Sequence, residues 1–298
     1  MASFADSNVP VLFLGTGIMG APMARNIAAK GIEVIAWNRD SSKVRPLMGH
    51  GIRPVTIITD ISIAQRIVII MVSTGEVVEN LLFQHGTDAP LGGRLAQGSV
   101  VVVMSSIPVE TAIAQAERLA SMGIGYIDAP VSGGESGAIA GTLTIMAGGS
   151  ATDIRRCQPI LETMGHLHHV GPVGTGQLAK LANQTIVGIT IGAVAEALLL
   201  AKAGGADLAK VRQALMGGFA SSEILRQHGK RMIKEDFVPG ARAHVQLKDL
   251  TTALNLAAAE EIETPLLERT RQLYAAMCER DDLRELDHSA VYLYLDQK

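Results

Sequence analysis

The chain has 298 residues, a formal net charge of −3 and two cysteines, and these numbers exclude several classes of protein. The length exceeds one typical hydrophobic core and predicts two domains. A surface that binds nucleic acid usually makes a domain basic, so this slightly acidic balance argues against a nucleic-acid partner. The two cysteines, Cys157 and Cys278, are too few for a disulfide framework or a metal site, and we expect free thiols in the core.

Composition and the N-terminal residues favour a cytoplasmic protein with helices packed on a sheet. Hydrophobic residues make up 48% of the chain and aromatic residues only 3%, which disfavours an aromatic-rich β-sandwich. Residues 1–7 lack the basic start and apolar run of a signal peptide. Residues 181–201 are apolar enough to raise the question of a membrane span, but they include Asn183, Gln184 and Glu196. We interpret them as a helix buried between domains or subunits and expect no membrane partner.

The first elements in chain order have the pattern of a dinucleotide-binding site. Residues 9–14 form a short apolar run, typical of a buried parallel strand. The sequence Gly15-Thr-Gly-Ile-Met-Gly20 follows, then a helical pattern that ends at Gly31 and a second strand at residues 33–37. Strand, G-x-G-x-x-G, helix and strand stand in the order that the dinucleotide fingerprint requires. The alternative is a glycine-rich turn in some other α/β protein.

Each residue of the glycine-rich loop has an expected task. Gly15 permits a tight turn, Gly17 lets the backbone approach the pyrophosphate, and Gly20 lets the helix pack on the strand. Ile18 and Met19 lie at the N-terminus of the helix, where backbone N–H groups and the helix dipole favour an anion. We therefore predict that all five residues belong to the cofactor site.

The tip of the second strand predicts NADP(H) in preference to NAD(H). An NAD site usually carries Asp or Glu there, about 20 residues after the glycines, to bind the ribose 2′-hydroxyl. Here Asn38 and Arg39 occupy the tip, and the planar cation of Arg39 suits a 2′-phosphate beside a hydrogen bond from Asn38. Asp40 follows beyond the tip, where it either caps the next turn or reaches a ribose, so NAD(H) stays open as the alternative.

Three more strands are predicted at residues 66–71, 99–104 and 125–128, each followed by small or polar residues. Ligands of open α/β sheets bind at the carboxyl ends of the strands, so these loops are placed to line the cofactor and the substrate. Serine-rich loops after strands are also ordinary turns, which is the alternative for each loop alone. The cofactor contacts predicted from the first of these loops are Met71, Val72 and Ser73.

A long apolar segment begins near Gly174 and places a lysine beside an amide. Residues three and four apart share a helix face, so Lys180 and Asn183 project together, with Gln177 and Gln184 close to the same stripe. A cationic proton donor on an otherwise apolar face suits a substrate pocket. The alternative is a lysine that extends its head to solvent at the start of a helix.

Four motifs, in order along the chain, resemble those of the β-hydroxyacid dehydrogenase family. They are the glycine-rich loop, Asp128-Ala-Pro-Val-Ser-Gly-Gly134 with residues 137–149, the Lys180 segment, and Lys248-Asp249-Leu250. The likeness extends from about Val11 to the C-terminus. It implies an NAD(P)-dependent oxidoreductase that acts on the CH–OH group of a short β-hydroxy acid, with hydride transfer at nicotinamide C4.

Within the family, the chain resembles the branch of the tartronate semialdehyde reductases (2-hydroxy-3-oxopropionate reductases). Gln184 fits that branch, where many relatives carry a second asparagine. One position departs from it, because Ala241 stands where the branch typically has phenylalanine. If that aromatic ring packs on the substrate pocket, the pocket here is wider. Succinic semialdehyde or glyoxylate, 3-hydroxyisobutyrate and L-threonate therefore stay open as substrates beside tartronate semialdehyde.

The resemblance also implies the architecture. We expect a Rossmann-type α/β domain with a mostly parallel sheet at residues 1–172, and an all-α substrate and oligomerisation domain at residues 173–298, joined by a long interdomain helix. Relatives are often homodimers or homotetramers, and we expect the same here. The sequence agrees with helices after residue 169, at 208–216, 222–234, 247–260 and 265–279.

The resemblance assigns catalysis to Lys180, as general acid in reduction and general base in the reverse direction. Burial and the like charge of Lys248 are expected to lower the pKa of Lys180 towards neutrality. Asn183 would hold the substrate hydroxyl or steady Lys180, or else be a core amide. Lys248 would face nicotinamide and substrate, or else form an ion pair with Asp249 on a solvated helix.

The substrate carboxylate is expected at a glycine-rich loop. Ser132, Gly133 and Gly134 offer successive backbone N–H groups without bulky side chains, which suits an anion, although a plain glycine turn is the alternative. Ser106 matches a position where relatives carry serine or threonine near nicotinamide and substrate, or else it ends a strand.

Three histidines near a strand raise the question of a metal site. His166, His168 and His169 lack a third ligand type at metal spacing, so we interpret them as surface or edge residues and expect no metal. The non-enzymatic alternative is a nucleotide-binding scaffold without catalytic activity, since such members exist in the family. Retention of Lys180, Asn183 and Ser132 argues against it. Imine reductases are also relatives, but they generally replace the lysine.

Overall fold

The structure, a computed structural model, describes residues 10–49, 51–56, 67–84 and 90–296. The chain divides into two compact units, the first ending at Lys180 and the second beginning at Leu181. Val9 and Arg66, the first residues of two predicted strands, lie outside the described residues.

The first unit alternates strands and helices. Its strands are β1 (Val11–Leu14), β2 (Val34–Trp37), β3 (Ile52–Val55), β4 (Ile67–Ile70), β5 (Val100–Val103), β6 (Gly125–Asp128), β7 (Val131–Ser132), β8 (Leu143–Gly149) and β9 (Gly165–Gly171). Its helices are α1 (Gly20–Ala29), α2 (Gly75–Phe83), α3 (Val109–Ala120), α4 (Gly134–Ala140) and α5 (Ala151–Leu161). Helix α6 (Thr175–Ala203) begins in the first unit and continues into the second.

The strands form one sheet in the order β3-β2-β1-β4-β5-β6-β8-β7, with β9 paired to β8. All neighbours from β3 to β6 are parallel, which is the strand order of a doubly wound dinucleotide-binding sheet. The predicted Rossmann-type domain with a mostly parallel sheet is confirmed. The carboxyl ends of β1, β2, β4, β5 and β6 therefore lie at one edge, where the predicted loops follow.

Both faces of the sheet are buried, which explains the continuous apolar strands. Successive side chains of a strand point to opposite faces. Along β1, Val11 and Phe13 accordingly belong to one core cluster, with Met23 and Ile27 of α1, whereas Leu12 and Leu14 belong to another. The second cluster includes side chains from α2 and α3. A strand buried on both faces cannot alternate apolar and polar residues.

The sheet extends beyond the predicted strands through β3 at one end and through β7, β8 and β9 at the other. Strand β8 runs antiparallel to both β6 and β7 and parallel to β9. Gly165 is required at the start of β9, because a Cβ atom there would lie 1.9 Å from the carbonyl oxygen of Leu143. Gly148 and Gly149 end β8 beside β6. These strands bring the loop at residues 132–134 to the edge of the sheet.

The second unit is helical throughout the residues that the structure describes. After α6 come α7 (Leu208–Leu215), α8 (Glu223–Lys234), α9 (Ala243–Ala259), α10 (Pro265–Cys278), α11 (Asp281–Arg284) and α12 (Val291–Asp296). Asp207 and Ser222 cap α7 and α8 by accepting backbone N–H hydrogen bonds, and Pro265 begins α10. The predicted all-helical second part is confirmed, although α9 begins four residues before the predicted position.

Helix α6 is the one described helix that is long and apolar enough to cross a membrane. Its most apolar window is 33% buried, and the core helix of a soluble protein can have the same length and composition. Both cysteines are free and buried, as expected from the sequence.

Candidate active site

The glycine-rich loop after β1 has the geometry of a dinucleotide cradle. Gly15 has φ +98°, and a Cβ atom there would lie 2.1 Å from the carbonyl oxygen of Met71. At Gly20 a Cβ atom would lie 1.9 Å from the carbonyl oxygen of Gly15, so the helix packs directly on the loop. Gly17 faces open space, since a Cβ atom there would meet nothing within 4 Å. The loop is therefore closed on the protein side and open at Gly17, where a pyrophosphate needs close approach.

The neighbouring residues of this loop leave the same side accessible. Ile18 is 52% exposed although it is a large apolar residue, and Met19 precedes the first turn of α1. An exposed isoleucine beside an open glycine is the kind of surface that a cofactor would cover. The residues present thus fit a bound dinucleotide.

At the tip of β2, the three consecutive residues Asn38, Arg39 and Asp40 differ in their hydrogen bonds and exposure. Asn38 accepts a hydrogen bond from the Thr16 N–H at 3.1 Å and donates one to the Asp40 carbonyl at 3.0 Å, so it braces the glycine-rich loop. Asp40 caps the following turn by accepting hydrogen bonds from Ser42, whose hydroxyl lowers the pKa of the Asp40 carboxyl below its ordinary value. Arg39, between them, is exposed.

The loops after β4 and β5 are tied to each other and to α6. The backbone N–H of Val72 donates to the Ser105 hydroxyl at 2.8 Å. Gln177, fully buried, donates from Nε2 to the Ser105 carbonyl at 2.9 Å and accepts at Oε1 from the Ile107 N–H at 3.1 Å. Gln177 therefore braces the β5 loop, a role that its predicted place close to the stripe of Lys180 and Asn183 did not indicate. Around these contacts, Met71, Val72 and Ser106 are half-buried and Ser73 is exposed.

Lys180 lies at the loop that was predicted to bind a carboxylate. Its Nζ donates a hydrogen bond to the Val131 carbonyl at 2.9 Å, and Val131 precedes Ser132, Gly133 and Gly134. The two glycines have φ +133° and +62°, which other residues rarely adopt, and both are exposed. A Cβ atom on Gly134 would meet nothing within 4 Å. A half-buried cation thus lies next to an open stretch of backbone.

Asp128, at the end of β6, is a buried carboxylate that the sequence analysis did not single out as a site residue. It is 0% exposed and accepts hydrogen bonds from the backbone N–H groups of Gly174 and Gln177, both at 2.8 Å. Burial raises the pKa of the Asp128 carboxyl to about 6, against the effect of its backbone donors, which lower it. A carboxylate at a strand end, 46 residues before its first donor, gives no local sequence signal of this pairing.

In the second unit, a chain of polar side chains links Asn183 to Lys248. Asn183 donates to Gln184 Oε1 at 2.9 Å, and Gln184 Nε2 donates to Gln246 and to Asp249, both at 3.0 Å. Asp249 in turn lies 3.2 Å from Lys248 Nζ. The ion pair given as the alternative for Lys248 is therefore present, with Asp249 buried and the Lys248 side chain 35% exposed. Gln184 therefore accepts a hydrogen bond from Asn183 and donates to two side chains of α9, and it orients the Asn183 amide.

The predicted edge histidines lie on β9, where His166, His168 and His169 are exposed. A different group comes together in the second unit, where ligand atoms of His228, Asp287 and His288 lie within 4.8 Å of one another. Burial alone would raise the pKa of Asp287, but the nearby His228 ring, the charge of His288 and hydrogen bonds from Ser289 hold it well below the ordinary value.

Several donors already surround the Asp287 carboxylate. Its oxygens accept hydrogen bonds from backbone N–H groups at Gly240, Ala241 and Ser289, and Arg231 lies 3.3 Å away. A divalent cation would have to displace these donors and lie close to a guanidinium. The group accordingly joins α8, the loop before α9 and the residues after α11.

The open glycine-rich loop on a doubly wound sheet, with a lysine at the carboxyl edge, defines a dinucleotide-binding oxidoreductase. Residues 10–176 match the profile of the NAD-binding domain of 6-phosphogluconate dehydrogenase. Residues 174–295 match that of the NAD-binding domain of NADP-dependent 3-hydroxyisobutyrate dehydrogenase.

Individual relatives agree over almost the whole chain. The chain is 42% identical to 2-hydroxy-3-oxopropionate reductase of Escherichia coli K12 over 288 residues, which cover 95% of this chain and 96% of that protein. It is 33% identical to a 3-hydroxyisobutyrate dehydrogenase of Pseudomonas aeruginosa over 290 residues, or 94% and 96% of the two chains. The solved structure of Mycobacterium tuberculosis 3-hydroxyisobutyrate dehydrogenase with L-serine has a TM-score of 0.86 and 29% identity, covering 96% of this chain and 99% of that one.

The chain belongs to the β-hydroxyacid dehydrogenase family, as its four motifs predict. It is an NAD(P)-dependent oxidoreductase that acts on the CH–OH group of a small molecule, and within the family it is similar to the tartronate semialdehyde reductases.

Proposed function

We propose that the protein reduces a short 3-oxo acid with NADPH, and that its substrate is tartronate semialdehyde, which it converts to D-glycerate. The observation that carries this proposal is the position of Lys180, whose ammonium is held 2.9 Å from the Val131 carbonyl at the start of the open glycine loop. The 42% identity to a 2-hydroxy-3-oxopropionate reductase over nearly the whole chain supports the choice of substrate.

Lys180 would act as the proton donor in this reaction. When bound, NADPH supplies the hydride that adds to the carbonyl carbon. The carbonyl oxygen becomes an alkoxide, and the Lys180 ammonium stabilises the developing charge and transfers its proton to that oxygen. The product is a hydroxy acid, and the neutral amine regains a proton from solvent. The same groups run the oxidation in reverse, with Lys180 as the base.

The remaining predicted residues would bind and orient the substrate. Ser132, Gly133 and Gly134 would receive the carboxylate through backbone N–H groups, because the two glycines leave the loop open. Asn183, oriented by Gln184, would hold the substrate hydroxyl. Ser106 and Lys248 would line the nicotinamide and the substrate.

The preference for NADP(H) would depend on Arg39. Its guanidinium is exposed at the tip of β2, and the neighbouring Asp40 is engaged in a turn through Ser42. A carboxylate turned to its own cap is less available for a ribose hydroxyl, whereas a planar cation suits a 2′-phosphate. Asn38 would support the site through its hydrogen bond to the glycine-rich loop.

A second candidate function is the same reduction of a larger acid such as succinic semialdehyde, and Ala241 is the residue that favours it. Its N–H donates to Asp287 at 3.2 Å and its carbonyl accepts from the His288 N–H at 2.8 Å, so the backbone at this position is fixed. If the side chain at position 241 faces the substrate, alanine would leave more space for a larger acid than phenylalanine.

Parallel assays would test the substrate and the cofactor together. Purified protein would receive tartronate semialdehyde, succinic semialdehyde or glyoxylate with NADPH or NADH, and 3-hydroxyisobutyrate or L-threonate with NADP+ or NAD+, and nicotinamide absorbance would be followed. We expect the highest kcat/KM for tartronate semialdehyde with NADPH. A higher value for a larger acid would replace the first candidate by the second, and no turnover of any acid would contradict both.

We also propose that the protein acts in the cytoplasm as a homodimer or homotetramer, and that the helical part from residue 173 onwards provides the contacts between subunits. Large exposed apolar side chains in the second unit support this proposal, among them Ile186, Leu200 and Phe219.

A further inference from the structure

The geometry points to Asp128 as a positioning residue for the reaction: we infer that its carboxylate fixes the first turn of α6 and thereby the place of the Lys180 ammonium. This inference rests on the proposed role of Lys180 as proton donor. Asp128 itself would touch neither substrate nor cofactor.

The two oxygens of Asp128 each hold one backbone N–H group at the start of α6. Oδ1 accepts from Gly174 and Oδ2 from Gln177, at 2.8 Å in both cases. Lys180 follows Gln177 by three residues, so it lies on the next turn of the same helix. Hydrogen bonds within a helix make consecutive turns rigid, and a shift at Gln177 therefore moves Lys180 as well.

The surroundings leave the carboxylate no room to move. A Cβ atom on Gly148 would lie 2.7 Å from Asp128 Oδ1, and one on Gly176 would lie 2.8 Å from Oδ2. The same atom on Gly176 would lie 2.4 Å from the Asp128 carbonyl oxygen. Two glycines thus allow β8 and α6 to close around the side chain, and its orientation is set by the backbone on both sides.

A second contact holds the same turn from another strand. The Gln177 side chain binds the Ser105 carbonyl and the Ile107 N–H of the β5 loop. Asp128 thus binds the first turn of α6 to the end of β6, and the Gln177 side chain binds the same turn to the loop after β5. The first turn of α6 is therefore anchored to the ends of two adjacent parallel strands.

One short segment carries both the anchor and the acceptor of the lysine. Asp128 ends β6, and Val131, three residues later, accepts the hydrogen bond from Lys180 Nζ at 2.9 Å. Ser132 follows directly. Asp128, Val131 and Ser132 lie within five residues of sequence. This short segment therefore fixes the position of Lys180 relative to the glycine loop.

Asp128→Asn is the sharpest variant, because it keeps the shape of the side chain and removes one acceptor. Its amide nitrogen would face a backbone N–H, donor against donor, so one of the two anchors is lost. Asp153→Asn is the matched control, since Asp153 lies in the first turn of α5 and its carboxylate binds Ser150 and Arg156, which belong to that helix and its cap. Lys180→Ala is assayed beside them to test the proton donor itself.

The measurement is kcat per NADPH-binding site, with KM for NADPH, so that a smaller folded fraction does not count as slower chemistry. For Asp128→Asn we expect kcat per site to fall about 10- to 100-fold, the effect of a small displacement of a reacting group, while KM for NADPH changes less than about threefold. Asp153→Asn should keep the kcat of the wild type.

The outcomes separate the inference from the proposal beneath it. If Lys180→Ala keeps its turnover, the proton-donor role fails and the role of Asp128 fails with it. If Lys180→Ala is inactive while Asp128→Asn has wild-type kcat per site, only the inference is overturned. Should Asp128→Asn not fold, Asp128→Ser, which leaves space for a water molecule as acceptor, takes its place. If neither folds, Asp128 serves folding and the inference is overturned.

Discussion

At the residue scale, Arg39 carries the expected choice of cofactor. Arg39→Ala should raise KM for NADPH by about 10- to 100-fold, because a hydrogen bond to a charged group contributes roughly 1.5–3 kcal/mol, and it should leave KM for NADH nearly unchanged. Steady-state kinetics with both cofactors measures the effect. Arg155→Ala, an exposed arginine on α5, is the control. Equal losses with both cofactors would contradict the assignment.

The raised pKa of Asp128 gives a stability that depends on pH in a defined direction. Below about pH 4 the carboxyl is protonated in both the folded and the unfolded chain. Between pH 4 and 6 the folded chain still holds the proton that the unfolded chain has lost, because burial raises the folded pKa from 3.8 to about 6. The free energy of unfolding should therefore fall as pH rises through this window, by up to about 3 kcal/mol, and then level off.

Asp128→Asn isolates this contribution, since it removes the titrating group and leaves the others. Unfolding in urea can be followed by the fluorescence of Trp37, the single tryptophan, which lies on β2 of the first unit. The unfolding free energy of the wild type minus that of the variant should decrease between pH 4 and 7. A difference that stays constant or increases would show that burial does not dominate at Asp128.

At the scale of the element, α6 contains two glycines with opposite expected responses to alanine. At Gly176 a Cβ atom would lie 2.4 Å from the Asp128 carbonyl oxygen and 2.5 Å from that of Met146. Both are backbone atoms, so Gly176→Ala should destabilise the protein by about 1–3 kcal/mol and reduce turnover as the first turn shifts. Thermal unfolding and kcat measure the two effects.

Gly192, on the same helix, is the control. A Cβ atom there would meet Leu273 only at 4.0 Å, so Gly192→Ala should be neutral or stabilise by about 0.5–1 kcal/mol, through the higher helix propensity of alanine. Equal effects of the two substitutions would mean that the start of α6 is not closely packed on β6 and β8.

The elements differ in how far the sequence predicts them. The parallel strands β1, β2, β4, β5 and β6 are predicted because burial on both faces leaves continuous apolar runs with polar loops after them. Strands β3, β7, β8 and β9 are not predicted as strands. Strand β3 is four residues long and includes Arg53 and Pro54, and the other three pair across loops without a local period. Helix α9 starts early at Ala243, where the preceding backbone is held by distant contacts to Leu286 and Asp287.

The same limit applies to the site. Gly15, Gly17 and Lys180 are recognisable because spacing and local order identify them. Asp128 and Gln177 have their roles only through partners 46 to 72 residues away, and such pairings have no signature in the local sequence. Asn183 was predicted as a site residue, but the orientation of its amide is set by Gln184 and Asp249 across α6 and α9.

At the scale of the whole molecule, we expect a homodimer or homotetramer. Phe219, between α7 and α8, is fully exposed in the single chain, and Leu200 on α6 is 77% exposed. Burying such side chains stabilises an interface by roughly 25 cal/mol per Å² of apolar surface. Light scattering after size-exclusion chromatography should give a mass of two or four chains. The substitution Phe219→Ser or Leu200→Ser should lower this mass. A monomer at micromolar concentration would contradict the assembly.

The central claim is that Lys180 donates the proton in an NADPH-dependent reduction of tartronate semialdehyde. We would measure kcat per NADPH-binding site for the wild type, Lys180→Ala and Lys202→Ala, the last being a lysine on the same helix that pairs with Asp296. Lys180→Ala should bind NADPH normally and lose about 10²- to 10⁴-fold in kcat, the range of general acid–base catalysis, while Lys202→Ala stays close to the wild type. Turnover by Lys180→Ala within about threefold of the wild type would contradict the claim, because a general acid typically contributes about 10²-fold or more.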